Sequence, residues 1–156
     1  MLKNAISDEE IMNCFDVMVE LRPHLQRNDF LQTVRQMEAD GYKLAFIAKD
    51  DAVVAVSGYR IYSNLFMGKH LYVDDLVTAT RARSEGHGRR MVEWLREQAV
   101  QEGCNYIHLD SGTQRGEAHK FYFNQGFTIA SYHFSEPLKV SEQAQTSNER
   151  LNSTDD

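Results

Sequence analysis

The chain has 156 residues, of which 42% are hydrophobic and 26% are charged, and its formal net charge at pH 7 is −6. This length and composition predict one folded domain with a full hydrophobic core and argue against general disorder. The negative charge argues against a general nucleic-acid-binding surface, and no segment is apolar over enough residues to span a bilayer.

The first residues, MLKNAISDEE, contain no apolar run of the length that a signal peptide needs. Cys14 and Cys104 are not in CxxC spacing and form no disulfide framework, so they are interpreted as free thiols in a reducing compartment. Together these features predict a cytoplasmic protein.

The first half of the chain predicts a short edge strand, two helices and a hairpin. Residues 2–6 form the strand, and Ser7 with Glu10 fits a capping box for a helix that ends before Pro23. A second helix is predicted from Asn28 or Asp29 to Gly41. The strands 43–48 and 53–62 flank a turn and are predicted to form a hairpin, followed by a strand over 70–79.

The second half predicts helix, strand, helix, strand. The helices cover about 86–102 and 115–125, and the strands cover 104–112 and 127–134. After residue 137 the sequence loses its apolar periodicity, so residues 1–138 are predicted to be the domain and 139–156 a disordered tail. The element order is that of a single mixed α/β domain.

The loop RARSEGHGRR, residues 81–90, is unusual because arginines lie at the predicted beginning of a helix. Cations are disfavoured there, since the helix dipole already places partial positive charge at that end. The pattern therefore indicates that an anion binds beside this loop.

Two motifs resemble the GCN5-related N-acetyltransferase (GNAT) family. Residues 83–88, RSEGHG, resemble its R/Q-x-x-G-x-G/A loop, and residues 118–127, AHKFYFNQGF, resemble its second motif. The order and spacing of the two motifs make the likeness specific, and it covers about residues 2–134. The segments LRPHL, DDL and LDSGTQR are similar to those of a small bacterial-type subgroup.

The resemblance implies a mostly antiparallel central sheet, flanked by helices, that splays apart between its fourth and fifth strands. It implies that acetyl-coenzyme A lies in the split, with its diphosphate on backbone amides of the glycine loop. Unpaired amides and the dipole at a helix N-terminus attract phosphate, and glycines allow close approach. The anion indicated by the loop is then this diphosphate.

The coenzyme-binding residues implied by the resemblance are Leu76, Val77, Thr78, Arg83, Ser84, Glu85, Gly86, His87, Gly88, Arg89, Ser111, Arg115, Ala118, Phe121 and Tyr122. Three of them depart from the family pattern. Ser84 stands where glycine is frequent, Glu85 adds a negative charge, and Arg115 replaces a common asparagine. Arg115 is open to two interpretations, a contact to the phosphate or pantetheine and a surface arginine at a helix start.

The implied reaction, attack of an amine on a thioester, needs a proton acceptor because an alkylammonium has a pKa of about 10.4. Asp74 and Asp75 are the candidate bases, with Asp74 favoured by its position nine residues before Arg83, where polyamine acetyltransferases of the family carry an acid. Neighbours on a regular strand point to opposite faces, unless a bulge intervenes. The structural alternative is that either aspartate forms salt bridges to arginines.

Tyr122 is the candidate acid, because it stands where the family places the tyrosine that protonates the leaving thiolate. A phenol with a pKa of about 10 can give its proton to an alkyl thiolate at modest cost. The alternative is that Tyr122 only packs, with its hydroxyl bonded to a backbone carbonyl.

The family takes acceptor specificity from the first two helices, which here carry Glu20, Arg22 and His24. Glu20 suits an amine and Arg22 suits a carboxylate or phosphate, so the acceptor stays open. Tyr72 and Asp110 are further candidates for the acceptor pocket. The histidines His70, His108 and His133 lack metal-ligand spacing, and no metal is expected.

The resulting prediction is an acetyl-CoA-dependent N-acetyltransferase that acts on a primary amine of a small molecule or peptide. The alternative is a non-catalytic coenzyme A-binding regulatory module of the same fold. The expected partner is the amine acceptor. Neither nucleic acid nor a membrane is expected as a partner, and whether the chain forms a homodimer is left open.

Overall fold

A computed structural model describes residues 1–138, and the predicted tail 139–156 lies outside the described residues. Eleven elements follow one another. They are β1 (Leu2–Asn4), α1 (Asp8–Asn13), α2 (Phe15–Leu21), α3 (Arg27–Ala39), β2 (Tyr42–Lys49), β3 (Ala52–Asn64), β4 (Gly68–Thr78), a 3₁₀ turn (Thr80–Ala82), α4 (His87–Gln101), β5 (Tyr106–Leu109) and α5 (Gly116–Asn124).

The five strands form one sheet in the order β1-β2-β3-β4-β5. The first three pairings are antiparallel and the last, between β4 and β5, is parallel. The hairpin turn between β2 and β3 has Asp50 and Asp51 at positive φ, a conformation that Asp tolerates better than most residues. The predicted mixed, mostly antiparallel sheet is confirmed.

Helices cover both faces of the sheet. On one face α2 packs on β3 and β4 and α3 packs on β2, while α4 packs on the other face. The side chains of Tyr59 on β3 and Trp94 on α4 meet edge to face, with 6.1 Å between ring centroids. Leu71, Met91 and Leu95 are fully buried, so the interface between the sheet and α4 is continuous core.

The first predicted helix is divided into α1 and α2 at Cys14. The capping box of Ser7 and Glu10 begins α1 as predicted. At Cys14 the backbone N–H donates a hydrogen bond to the carbonyl of Ile11, and the thiol donates to the carbonyl of Glu10 at 3.2 Å. A side chain that competes for a helix carbonyl interrupts the regular pattern, which apolar periodicity does not reveal.

The strand predicted over residues 127–134 is wrong. Phe127 still packs beside Tyr122 and under the guanidinium of Arg96, but the residues after it are exposed and form no ladder with β5. Alternating apolar residues indicate which side chains of a strand would share one face of the sheet. The strand itself forms only where the edge of a neighbouring strand is available for its hydrogen bonds.

Gly58 on β3 is required by the close approach of Tyr42. A Cβ at position 58 would lie 1.9 Å from the Tyr42 hydroxyl. We expect Gly58→Ala to displace the buried Tyr42 ring and to lower the free energy of unfolding by about 2 kcal/mol. Thermal or urea denaturation measures the change. Gly116→Ala is the control, because nothing lies within 4 Å of a Cβ there, and equal losses in both variants would contradict the packing argument.

Candidate active site

The sheet opens between β4 and β5. The last pair is Val73 with Leu109, where β5 ends, while β4 continues to Thr78. The edge of β4 from residue 74 to residue 78 is therefore not paired to β5. The split predicted between the fourth and fifth strands lies at this point.

A β-bulge in β4 coincides with the start of the split. Gly58 pairs with Asp75 and the next residue, Tyr59, pairs with Val73, so Asp74 is the extra residue. The bulge cancels the alternation of a regular strand, and both carboxylates reach the sheet face that carries Arg60 and Tyr42. The expectation that only one aspartate of a regular strand points to that face does not apply here.

Asp74 is held by Arg60 of β3. The Arg60 guanidinium donates from Nη2 to Oδ1 at 2.8 Å and from Nε to Oδ2 at 3.2 Å. Burial raises the pKa of Asp74, and the hydrogen bonds from Arg60 offset part of that rise. A carboxylate with a raised pKa is a stronger base than a solvated one.

Asp75 is bound by two side chains from different elements. Its carboxylate accepts from Arg22 Nε at 2.8 Å and from the Tyr42 hydroxyl at 3.0 Å. Burial, with the nearby Asp75 charge, raises the pKa of Tyr42, so this phenol stays a donor. The salt bridges considered as the structural alternative are thus formed by both aspartates.

Tyr122 lies on α5 between Phe121 and Phe127, with ring-centroid distances of 5.5 and 5.9 Å. Burial raises its pKa, against a smaller opposing effect of Arg115, so the phenol is protonated at neutral pH. Among residues 1–138, no hydrogen bond contributes to this shift of the Tyr122 pKa. The alternative in which Tyr122 bonds a backbone carbonyl is therefore not seen among residues 1–138.

The glycine loop leaves backbone donors free at the start of α4. Gly86 is the N-cap with φ 82°, and the first helical bond runs from Arg90 N–H to Gly86 O. The N–H groups of residues 87–89 thus have no helical partner, and no side chain caps them. Ser84 also has positive φ, 65°, so it adopts the left-handed conformation that glycine takes more readily.

The loop, the end of β4 and α5 meet at Gly88. A Cβ there would lie 3.3 Å from the Phe121 ring and 3.5 Å from the Thr78 hydroxyl. Glu85 turns its carboxylate to Lys49 at 2.8 Å and to His87 at 3.3 Å. The negative charge that departs from the family pattern is therefore paired with Lys49 of β2, and it also contacts His87, the first residue of α4.

Comparisons with known proteins agree with this geometry. The sequence model described as the Acetyltransferase (GNAT) family matches residues 8–127. The chain is 33% identical over 139 residues to a Bacillus subtilis (strain 168) protein described as the uncharacterized N-acetyltransferase YhdJ. The matched region covers 88% of this chain and 98% of that protein. The chain belongs to the GNAT acetyltransferase family.

Solved structures share the fold. A proposed acetyltransferase from Agrobacterium tumefaciens str. C58 superposes with TM-score 0.78 at 22% identity, over 88% of this chain and 99% of that one. AAC(6')-Iy in complex with the bisubstrate analogue CoA-S-monomethyl-acetylneamine superposes with TM-score 0.77 at 12% identity, over 90% of this chain and 98% of that one. As a GNAT member, the chain is an acetyl-CoA-dependent acetyltransferase.

The residues at the split fit the coenzyme that GNAT proteins use. The free amides at the start of α4 suit a diphosphate, and a side chain at Gly88 would fill the space beside Phe121. The Ser111 hydroxyl, just after β5, is buried without a hydrogen-bond partner in residues 1–138, as expected of a group awaiting a polar ligand.

The other predicted coenzyme residues are distributed over β4, the glycine loop and α5. Leu76 and Val77 belong to the open edge of β4, and Ala118 lies on the first half of α5. Arg83 and Arg115 are exposed, and Arg89 pairs with Glu93 at 2.8 Å on the surface of α4. Their contacts to the coenzyme remain predictions.

The residues predicted to bind the acceptor are not all free to do so. Glu20 accepts from the backbone N–H of Thr80 at 2.8 Å and from its hydroxyl at 2.7 Å. Arg22 is bonded to β4, and His24 is exposed in the turn after α2. Tyr72 donates to Asp110 at 2.7 Å across the beginning of the split, so these two candidates are in contact with each other.

Three residues of this face were missed in the sequence. Arg60, Tyr42 and His108 carry no motif, and each is placed there by strand register alone. Tyr72 pairs with His108, whose ring lies 5.0 Å from the Tyr72 ring. The alternation of polar residues along β3 and β4 was the available signal, but it does not identify which strands are neighbours.

Neither a metal cluster nor a membrane span is found in the described part. No three or more His, Cys, Asp or Glu side chains of residues 1–138 are grouped to hold a metal ion. No helix there is both long and apolar enough to cross a membrane.

The half-buried position of His108 beside His70 predicts that stability depends on pH. Their rings lie 4.8 Å apart, both Nε2 atoms are buried, and neither has a partner in the described residues. Burial, followed by the charge that His70 would carry, lowers the pKa of His108. A lowered folded pKa means that the unfolded chain binds the proton more tightly, so stability is retained above the unfolded value of about 6.5 and is lost as pH falls below it.

We therefore expect the free energy of unfolding to decline as pH is lowered from 7 towards 5, measured by urea denaturation at each pH. His108→Gln should flatten this decline, because the replacement does not titrate. His24→Gln is the control on an exposed histidine. A decline that is as steep in His108→Gln as in the wild type would contradict the assignment.

Proposed function

We propose that the protein transfers the acetyl group of acetyl-coenzyme A to a primary amine of a small molecule or peptide, by direct attack within the split. The observation that carries the proposal is that Asp74, the bulged residue of β4, is the first residue beyond the last β4–β5 pair. An acceptor that enters from the face of Arg60 would meet this carboxylate beside the open edge of the strand.

Asp74 is the proposed base. It takes a proton from the acceptor ammonium and passes it to solvent, which its raised pKa favours. Tyr122 is the proposed acid, because its hydroxyl is protonated and no hydrogen bond within residues 1–138 contributes to its pKa. When bound, the coenzyme supplies a thioester whose carbonyl carbon forms the C–N bond and whose C–S bond breaks. The second proton of the amine would leave through Asp74 to solvent as the C–N bond forms, and solvent would return a proton to Tyr122 after it protonates sulfur, so one proton is released for each acetyl group transferred.

The positioning of the coenzyme and the acceptor supplies the rest of the rate enhancement. The free amides at residues 87–89 would fix the diphosphate, and the open edge of β4 would align the pantetheine along residues 76–78. Holding two reactants in attack geometry is worth several kcal/mol without a covalent intermediate. The acceptor face carries Asp74, Asp75 and Asp110 against Arg22 and Arg60, and this excess of negative charge favours an acceptor that is a cation.

Calorimetric titration with acetyl-coenzyme A, followed by thiol release with a panel of amines, tests the proposal. The panel contains alkylamines, diamines, amino acids and a peptide with a free N-terminus. Binding together with amine-dependent thiol release is the expected result. Binding without release for every amine would favour the regulatory module, and no binding would contradict the coenzyme site.

We expect Asp74→Asn to reduce kcat about a hundredfold or more, with the largest loss in the pH range where the Asp74 carboxylate is ionised while the amine is still protonated. The measurement is the pH profile of thiol release with the best amine of the panel. Asp75→Asn is the matched comparison, because it removes a neighbouring salt-bridged carboxylate. A profile of Asp74→Asn that is only scaled down, or a larger pH-dependent loss in Asp75→Asn, would contradict Asp74 as the base.

We expect Tyr122→Phe to lower kcat about a hundredfold and to change the Kd for acetyl-coenzyme A little, since phenylalanine keeps the packing against Phe121 and Phe127. Steady-state kinetics and calorimetry measure the two quantities. Tyr132→Phe, on an exposed tyrosine, is the control. Equal losses in kcat and in coenzyme affinity would assign Tyr122 a structural role.

A further inference from the structure

The side chain of Arg22 joins the end of α2 to the bulge of β4. Its Nε donates to Asp75 Oδ1 at 2.8 Å, and its Nη2 donates to the backbone carbonyl of Asp74 at 3.0 Å. One planar guanidinium thus binds both residues of the bulge. Arginine suits this task because its donors are fixed in one plane, whereas a lysine ammonium cannot reproduce the fork.

The bulge needs partners of this kind because its extra residue has no opposite residue on β3. Arg22 satisfies the Asp74 carbonyl, and the Ser57 hydroxyl satisfies the Asp75 carbonyl at 2.8 Å. The Tyr42 hydroxyl holds the second oxygen of the Asp75 carboxylate at 3.0 Å. Of these contacts, only that of Arg22 reaches Asp74 itself, and it does so without touching the Asp74 carboxylate.

We propose that Arg22 is a positioning residue for acetyl transfer, which holds the β4 bulge in the conformation that presents the Asp74 carboxylate at the split. The inference rests on the proposed function of Asp74. It differs from the expectation for Arg22 drawn from the sequence, because the anion that Arg22 binds belongs to the protein and not to the acceptor.

The charges around Asp74 determine what loss of Arg22 does to its ionisation. The titratable and charged groups that act on it are Arg60 on β3, Arg22 after α2, Asp75 and Tyr72 on β4 and Tyr42 on β2, and Asp110 after β5 binds the hydroxyl of Tyr72. The Arg22 charge lowers the pKa of Asp74, and the Asp75 charge raises it. Removing Arg22 is therefore expected to raise the pKa of Asp74, because the positive charge that lowers it is lost.

Arg22→Met and Arg22→Lys separate the charge from the geometry. In Arg22→Met we expect kcat to fall about tenfold or more, the acid limb of the kcat profile to move to higher pH, and the KM for acetyl-coenzyme A to stay within about twofold. In Arg22→Lys we expect the acid limb to return towards the wild type while kcat stays reduced. The substrate is the panel amine with the fastest thiol release.

Arg35→Met is the matched control. Arg35 binds a carboxylate, that of Asp8, at 3.1 Å and a backbone carbonyl, that of Ile6, at 3.0 Å, with an exposure similar to that of Arg22. It lies far from the split, on α3, so its loss should cost stability without moving the pH profile. If Arg22→Met behaves like Arg35→Met in kcat and in the acid limb, the inference is wrong.

A measurement without turnover keeps the two hypotheses apart. With carbon-13-labelled aspartate carboxyls, the Asp74 resonance is assigned by its loss in Asp74→Asn and is titrated in the wild type and in Arg22→Lys and Arg22→Met. A titration that moves to higher pH in Arg22→Met and is restored in Arg22→Lys supports the inference, and an unmoved titration overturns it. If Asp74→Asn leaves the pH profile of thiol release unchanged in shape, the base assignment fails instead, whatever Arg22 does.

Discussion

The site depends on one irregularity, the extra residue in β4 opposite Gly58. Without the bulge, Asp74 and Asp75 would point to opposite faces of the sheet, and one of them would enter the apolar interface with α4. With the bulge, both carboxylates lie on the face of Arg60 and Tyr42. Gly58 allows this, because its missing side chain leaves room for the Tyr42 ring that binds Asp75.

The bulge also marks where the sheet opens. β5 follows β4 only as far as Leu109, and the exposed edge of β4 then leads to the glycine loop and to α4. A ligand in the opening therefore meets strand backbone at one end and helix N–H groups at the other. In the proposed complex, a thioester at the bulge and a diphosphate at the helix N-terminus would satisfy both ends.

Much of this was predictable from the sequence, and the reasons for the failures are specific. The capping box at Ser7, the glycine stops and the two motifs are local signals, so the order of helices and strands up to α5 followed from them. The strand over 127–134 failed because strand formation depends on a distant edge. Arg22 was predicted to bind an acceptor because its chemistry suits an anion, but which anion it meets is decided by the contact of α2 with β4.

A crystal structure of the protein with coenzyme A bound would test directly whether the coenzyme lies in the split between β4 and β5. We expect the diphosphate on the amides of residues 87–89, the pantetheine along residues 76–78, and the thiol between Tyr122 and Asp74. A diphosphate bound elsewhere, or a thiol that approaches neither Tyr122 nor Asp74, would contradict this expectation.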